Sequence, residues 1–237
     1  MSDKHFSSQY DSELSELSGK LLEMGGLVEA QLARAVDLLA QYEPRLVDEV
    51  LANEKTVNAM EVAMDQAISN VIARRQPAAR DLRLLMALSK STTNLERAGD
   101  EARKIAKKAR RIAEDGPEHA INIAEIKLAA EQASRMLYRA LNAFARLDAA
   151  AAAQVIRDDL AIDNEFRTFV RKLITYMMED ARAIAVGLDY LFIAKAIERI
   201  GDHATNIAEL AVFVARGTDV RHISLEDLAR EISDPDN

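Results

Sequence analysis

The 237-residue sequence predicts an all-α protein: two tandem three-helix bundles related by internal duplication. Three observations predict it. Gly (8) and Pro (4) make up 12 of 237 residues, about 5% against about 12% in an average chain, too few turn residues for a sandwich or barrel of many short strands. Apolar residues recur at three- and four-residue steps over long runs, the spacing of a buried helix face. Turn residues and a repeated segment divide those runs into two sets of three.

Taken in order, Leu14, Leu17, Leu21, Met24, Val28, Leu32, Ala35 and Leu39 form one stripe and place helix 1 at residues 8 to 41. Pro44 suits a helix start and not an interior, so helix 2 runs from 44 to 74 on Val47, Val50, Leu51, Val57, Met64, Ile68 and Ile72. Gln76-Pro77 ends it. Helix 3 covers 79 to 114 and stops at Asp115-Gly116-Pro117. Helix 4 covers 118 to 147, with its corner at Leu147-Asp148. Helix 5 covers 150 to 178, with a corner at Glu179-Asp180. Helix 6 covers 183 to 216 and ends at Gly217. Ser224 with Asp227 three residues on reads as a capping box opening a short last helix to Ile232, followed by a frayed tail, Asp234 to Asn237. Short corners make successive helices antiparallel neighbours. The predicted units are residues 8–115, residues 118–217, and a C-terminal helix and tail over 218–237.

Composition excludes several classes. The absence of Cys removes disulfides, zinc ribbons and thiolate catalysis. A formal charge of −8 argues against a duplex nucleic-acid binder. No run approaches the ~18 apolar residues of a membrane span, and Met1 to Lys20 lacks a signal-peptide apolar core. The expectation is a soluble cytoplasmic protein whose membrane association goes through partners.

The duplication carries the chemistry. Leu95-Glu96-Arg97-Ala98-Gly99-Asp100 in helix 3 matches Ile197-Glu198-Arg199-Ile200-Gly201-Asp202 in helix 6, and Ala102, Ile105 and Ala106 match Ala204, Ile207 and Ala208. In helices 2 and 5, Glu54-x-x-x-Asn58 corresponds to Asp159-x-x-x-Asp163. Acids four apart share a helix face and repel by a few tenths of a kcal/mol unless a cation intervenes. A mid-helix glycine costs about 1 kcal/mol relative to alanine. Both halves accept both costs at the same place, which points to a local demand such as close backbone approach beside a bound ion. Folding the hairpins about Pro77 and about the turn near Asp180 brings each pair on helix 2 or 5 level with its pair on helix 3 or 6. Acidic pairs are common on solvated helix faces and Glu-Arg neighbours can simply pair. The duplication, the matched heights and the shared glycine favour oxygen clusters for hard divalent cations such as Mg²⁺, Mn²⁺ or Ca²⁺, with Fe possible.

These segments resemble the PhoU family, the phosphate-specific transport system accessory proteins of bacteria. Met24-Gly25-Gly26-Leu27-Val28-Glu29, Arg75-Gln76-Pro77 with Asp81-Leu82-Arg83-Leu84, and Tyr176-Met177-Met178-Glu179-Asp180 carry the resemblance, and the two Glu-Arg-x-Gly-Asp segments are its most specific signature. The resemblance implies two three-helix bundles, each with E/D-x-x-x-D metal motifs. It implies a cytoplasmic regulator, often a homodimer, that contacts the transporter ATPase PstB and the sensor kinase PhoR and represses the phosphate-starvation response. The implied ligand set is Glu54, Asn58, Glu96 and Asp100 in the first repeat and Asp159, Asp163, Glu198 and Asp202 in the second. The implied metal, among Mg, Mn, Fe or Zn, is not fixed by it. Asn58 departs from the motif as a neutral ligand, and Lys104 stands where the second repeat has Asn206. A weaker ion, or none, is expected in the first bundle.

Arg103, Lys104, Lys107, Lys108, Arg110 and Arg111 crowd the end of helix 3. The expectation is macrodipole complementation and solvation, ahead of a patch for an acidic partner. His203 is rotated about 100° from Asp202 and is left out of the ligand set. Glu61 and Asp65, level with Ser89 and Thr93, are expected at the surface. Set against a regulatory adaptor, the alternative is a di-metal carboxylate enzyme in a helical bundle. That class uses Glu-x-x-His pairs, and none occurs here. No phosphate-cradling loop or nucleophile elbow appears either, so the expectation is no enzyme.

Overall fold

The computed structural model describes residues 8–115 and 123–233. Over these residues the chain is all-helical, without strands. α1 (Ser8–Ala40), α2 (Pro44–Arg75) and α3 (Ala79–Asp115) form one bundle; α4 (Ala124–Arg146), α5 (Ala149–Glu179) and α6 (Ile184–Arg216) form the other; α7 (Leu225–Ser233) follows. The expected start of helix 4 at 118–122 and the expected tail at 234–237 lie outside the described residues.

The corners follow the local chemistry of the sequence. Pro44 occupies the first turn of α2, where its missing N–H costs nothing. Gln76 (φ 48°) and Leu147 (φ 51°) cap α2 and α4 in the left-handed conformation and donate their N–H groups back to the helix ends. Asp148 then caps α5, accepting from the Ala151 N–H at 2.9 Å. Asp180 accepts from the Arg182 N–H and starts a single 3₁₀ turn over Ala181–Ala183 that runs into α6. Gly217 (φ 87°) ends α6 without steric cost. Ser224 accepts from the Asp227 N–H at 3.1 Å and opens α7, whose buried Leu228 and contact with α5 fold the chain end back on the second bundle.

The helix 1 stripe is the core. Leu14, Leu17, Leu21, Met24, Val28, Leu32 and Ala35 are all buried, and Leu39 is half-buried at the end. α2 and α5 lie outermost, because each contacts only its own bundle among the long helices; α1 with α3, and α4 with α6, form the middle. The two bundles join through α1 against α4 and, most extensively, α3 against α6.

The α3–α6 seam is antiparallel and polar. Asn94 Oδ1 accepts from His203 Nδ1 (3.0 Å) and Asn206 Nδ2 (3.1 Å). Arg199 reaches Glu101 (3.2 Å), which also takes Lys104 (2.8 Å). Lys108 (2.7 Å) and Arg111 (3.2 Å) clamp Asp189. These pairs descend α3 as they ascend α6, and the register sets Gly99 level with Gly201. Glu101 and Asp189 are only 4% and 2% exposed, so each buried acid depends on its cations. Asp189→Ala should therefore lower unfolding stability by about 1–3 kcal/mol in urea titrations at neutral pH; Lys107→Ala, an exposed neighbour, should lie within about 0.5 kcal/mol of the parent.

Candidate metal centres

In the first bundle α2 supplies Glu54 and Asn58, and α3 supplies Glu96 and Asp100. The hairpin brings them level, as the spacing predicts: Arg103 bridges Asp100 (2.9 Å) and Glu54 (3.6 Å). Asn58 Nδ2 donates to Glu54 Oε1 at 3.0 Å, leaving the Asn58 amide oxygen buried without a donor. Burial raises the Glu96 carboxyl above its usual range, with the Asp100 and Glu61 charges adding to it and Arg97 opposing. Glu61, expected at the surface, is half-buried and shares this field, whereas Asp65 is exposed and accepts from Ser89 at 2.8 Å. A protein cation already stands inside this cluster.

In the second bundle α5 supplies Asp159 and Asp163, and α6 supplies Glu198 and Asp202. Burial, followed by the charges of Asp202 and Asp163, pushes the Asp159 carboxyl up to about 6. Thr205 lies against Asp159 and favours its anion, but its buried hydroxyl has no well-aligned hydrogen bond. Asp202 is raised by partial burial first and Glu198 second, with Lys195 opposing, although the residue as a whole stays open to solvent. Lys195 grips both oxygens of Glu198 at 2.5 Å. The counter-cations have exchanged places between repeats. Position 103 is Arg where the second repeat has Thr205, and position 195 is Lys where the first has Thr93.

No three Asp, Glu or His side chains converge among the described residues in an arrangement ready to hold an ion. The donor chemistry nonetheless separates the clusters. The first has three carboxylates with an Arg between two of them. The second has four carboxylates with one Lys on its edge and a carboxyl that burial and like charge make costly to ionise, which suits an added hard cation.

The mid-helix glycines answer a packing demand. A Cβ on Gly99 would stand 3.3 Å from Gln31 Oε1 and 3.5 Å from Val57, and one on Gly201 would stand 3.3 Å from Ile162 and 3.5 Å from Asp159 Oδ1. Gln31, fully buried, uses the space to donate to the Gly99 carbonyl at 3.0 Å. His203 turns into the α3–α6 seam, away from the carboxylates, as its helix position predicts. The basic run at the end of α3 departs from expectation: Arg103, Lys104, Lys108 and Arg111 are not simply solvated but pair with Asp100, Glu101 and Asp189. Repeat comparison at positions 103 and 195 is the signal that would have found the counter-cations. A cleft of about 400 Å³ between α1 and α4, floored by Leu32, Val36 and Ala130 and rimmed by Asp37, Lys127 and Arg135, includes none of the cluster residues.

Comparison with known proteins adds a family match. The PhoU domain model matches twice, over residues 21–109 and 126–211. A phosphate-specific transport system accessory protein PhoU homolog from Burkholderia sp is 53% identical over 98% of this chain and 99% of its own. The crystal structure of PhoU from Pseudomonas aeruginosa superposes with TM-score 0.85 at 44% identity, covering 88% of this chain and all of that one. That of the phosphate transport system regulatory protein PhoU from Streptococcus pneumoniae gives 0.82 at 26%, covering 89% and 99%.

The raised Asp159 carboxyl fixes a pH dependence. A folded value near 6 against an ordinary 3.8 means no penalty at low pH, where the group is protonated folded or unfolded, and stability lost as pH rises through 6. In chelator-treated protein, Asp159→Asn should be more stable than the parent by about 1–3 kcal/mol at pH 7.5 and equal to it near pH 3.5, read from paired denaturant titrations.

Proposed function

The chain belongs to the PhoU family, and from that premise we propose that it is a regulatory accessory protein of a phosphate-specific transport system and not an enzyme. The observation that carries this reading is the duplicated Glu-Arg-x-Gly-Asp segment, set in both repeats against an acidic or amide pair on the adjoining helix, within a match that spans nearly the whole chain. The Burkholderia relative is named an accessory protein and the Streptococcus protein a regulatory one, and both names support this reading. No helix of the described residues is long and apolar enough to cross a membrane, and in this reading the protein docks onto the transporter from the cytoplasm. Its partners in this reading are the transporter ATPase PstB and the sensor kinase PhoR, and its output is to hold the phosphate-starvation response off when phosphate is plentiful. Deleting the gene should switch on a phosphate-starvation reporter in high phosphate, and the intact gene supplied in trans should silence it. A reporter that stays silent in the deletion strain would falsify the regulatory role.

We further assign a divalent or transition metal ion to the second repeat, held by Asp159, Asp163, Glu198 and Asp202. When bound, the ion supplies positive charge that the four carboxylates lack and ties α5 to α6. The first cluster, with Arg103 in place, has less need of it. Purified parent protein should therefore carry metal by elemental analysis, Asp163→Ala/Asp202→Ala should carry little, and Glu54→Ala/Asp100→Ala should keep most of the parent content. Equal metal in all three removes this assignment.

A further inference from the structure

The two repeats differ at the point where acids of neighbouring helices meet. Arg103 stands one turn past Asp100 on α3, and its repeat equivalent, one turn past Asp202 on α6, is Thr205. Arg103 Nη2 lies 2.9 Å from Asp100 Oδ1 and its Nε 3.6 Å from Glu54 Oε1, so one guanidinium spans the acids of two helices. The equivalent acids of the second repeat are Asp202 and Asp159. They bear on each other, and neither is in an ion pair among the described residues. Thr205 is too short and too neutral to bridge them: its buried hydroxyl lies against Asp159 without a well-aligned hydrogen bond. The cations nearest Asp202 are engaged elsewhere, Lys195 with Glu198 and the Phe166 ring, and Arg199 with Glu101 across the seam.

Charge count does not separate the two clusters. Glu61, in the place of Phe166, adds its charge to the first and offsets the acid that Asn58 omits relative to Asp163. Arg97 and Arg199 are equivalent and flank both. What differs is the place of the cation. A hard divalent ion sits where carboxylates of different helices converge. In the first repeat Arg103 already stands there. Its short tether keeps its local concentration high, and an ion entering the same space meets a like charge. Beside it the Asn58 amide oxygen is buried with no donor to satisfy it.

We infer that Arg103 is a built-in cation that closes an ion site in the first repeat, and that the residue at 103 and 205 decides which repeat loads metal. With a short neutral side chain at 103, Glu54, Asp100, Glu96 and the Asn58 oxygen are the ligands of a hard divalent cation. The inference deepens the metal reading of the second repeat, and only its Thr205 half rests on that reading.

The test titrates chelator-treated full-length protein with Mn²⁺ alone and follows the free ion by electron paramagnetic resonance. The background is Asp163→Ala/Asp202→Ala, which removes the second cluster. In it, Arg103→Thr should tighten Mn²⁺ binding about tenfold or more, and Mn²⁺ should raise the melting temperature of that variant. Arg103→Gln, neutral and closer in size, carries the same expectation should Arg103→Thr not fold. Arg103→Lys, which keeps the charge, should gain nothing, and adding Glu54→Ala to Arg103→Thr should abolish the gain. In the otherwise unchanged chain, Thr205→Arg should weaken Mn²⁺ binding about tenfold with an unchanged helical circular dichroism spectrum. If the folded neutral variants gain no Mn²⁺ binding, or Arg103→Lys gains as much as they do, the inference is overturned, whatever the parent binds. If the parent binds no Mn²⁺ and Arg103→Thr does, the second-repeat assignment falls and the closed site of the first repeat stands.

Discussion

The antiparallel packing of α3 on α6 is the constraint on which the rest of the molecule depends. Each is the third helix of its bundle, so the seam between them joins the two repeats along the length of the fold. Duplicated helices packed antiparallel place equivalent residues across an approximate two-fold relation, so the Arg199–Glu101 contact has a counterpart between Arg97 and position 203. The two contacts differ at positions 101 and 203. Arg199 meets Glu101, but the related Arg97 meets His203, which is 5% exposed and whose imidazole is held down to about 4 by burial first and then by Arg199, Arg97 and Lys104. A neutral His donating to Asn94 replaces what would have been a second buried ion pair. One side of the seam is ionic and the other is amide-bonded, so only one of the two desolvation penalties is incurred.

The same logic of divergence governs the acidic clusters. Both repeats keep Glu and Asp four apart with glycine between them, so both inherit the same repulsion. Each repeat sets a cation against it from a different direction: Arg103, one turn beyond Asp100, reaches across to a carboxylate of α2, while Lys195, one turn before Glu198, pairs with a carboxylate of its own helix and meets α5 only at the Phe166 ring. The first arrangement bridges two helices and leaves Glu96, raised by burial and by the Asp100 and Glu61 charges, as its uncompensated acid. The second neutralises one carboxylate and leaves Asp159, on the other helix, to burial and to its acidic neighbours. A duplicated motif has thus become two sites of unequal electrostatic demand, and the inequality follows from three residue exchanges: Arg103 against Thr205, Thr93 against Lys195 and Asn58 against Asp163.

What the sequence made legible was whatever depends on local physics. The stripe from Leu14 to Ala35, the proline at α2, the capping Ser224 and the left-handed Gly217 are short-range signals, and all four features occur where the pattern places them. The matched heights of the acidic pairs were legible too, because hairpin geometry turns sequence distance into height. The pairing of the basic run was not. Helical periodicity says that Lys108 and Arg111 share a face of α3, but Asp189 reaches them only through a contact 81 residues away in sequence for Lys108. Nor could spacing alone separate a glycine kept for an ion from one kept for Val57, Gln31 or Ile162, since both demands ask for the same missing Cβ.

These features together divide the molecule by charge. The acids of the repeated motif sit on the flanks, where α2 meets α3 and α5 meets α6, and the cations of α3 gather along the middle seam. A net charge of −8 is therefore not spread evenly. Buried Glu101 and Asp189 absorb part of the seam's positive charge into the fold, while Lys107 and the outer reach of Arg111 remain open to solvent. Such a division orients the encounter with a charged partner before any contact forms, because a partner feels the local field at a Debye length of about 8 Å more than the distant total. The pairing that holds the two repeats together thus also decides which face a charged partner meets first.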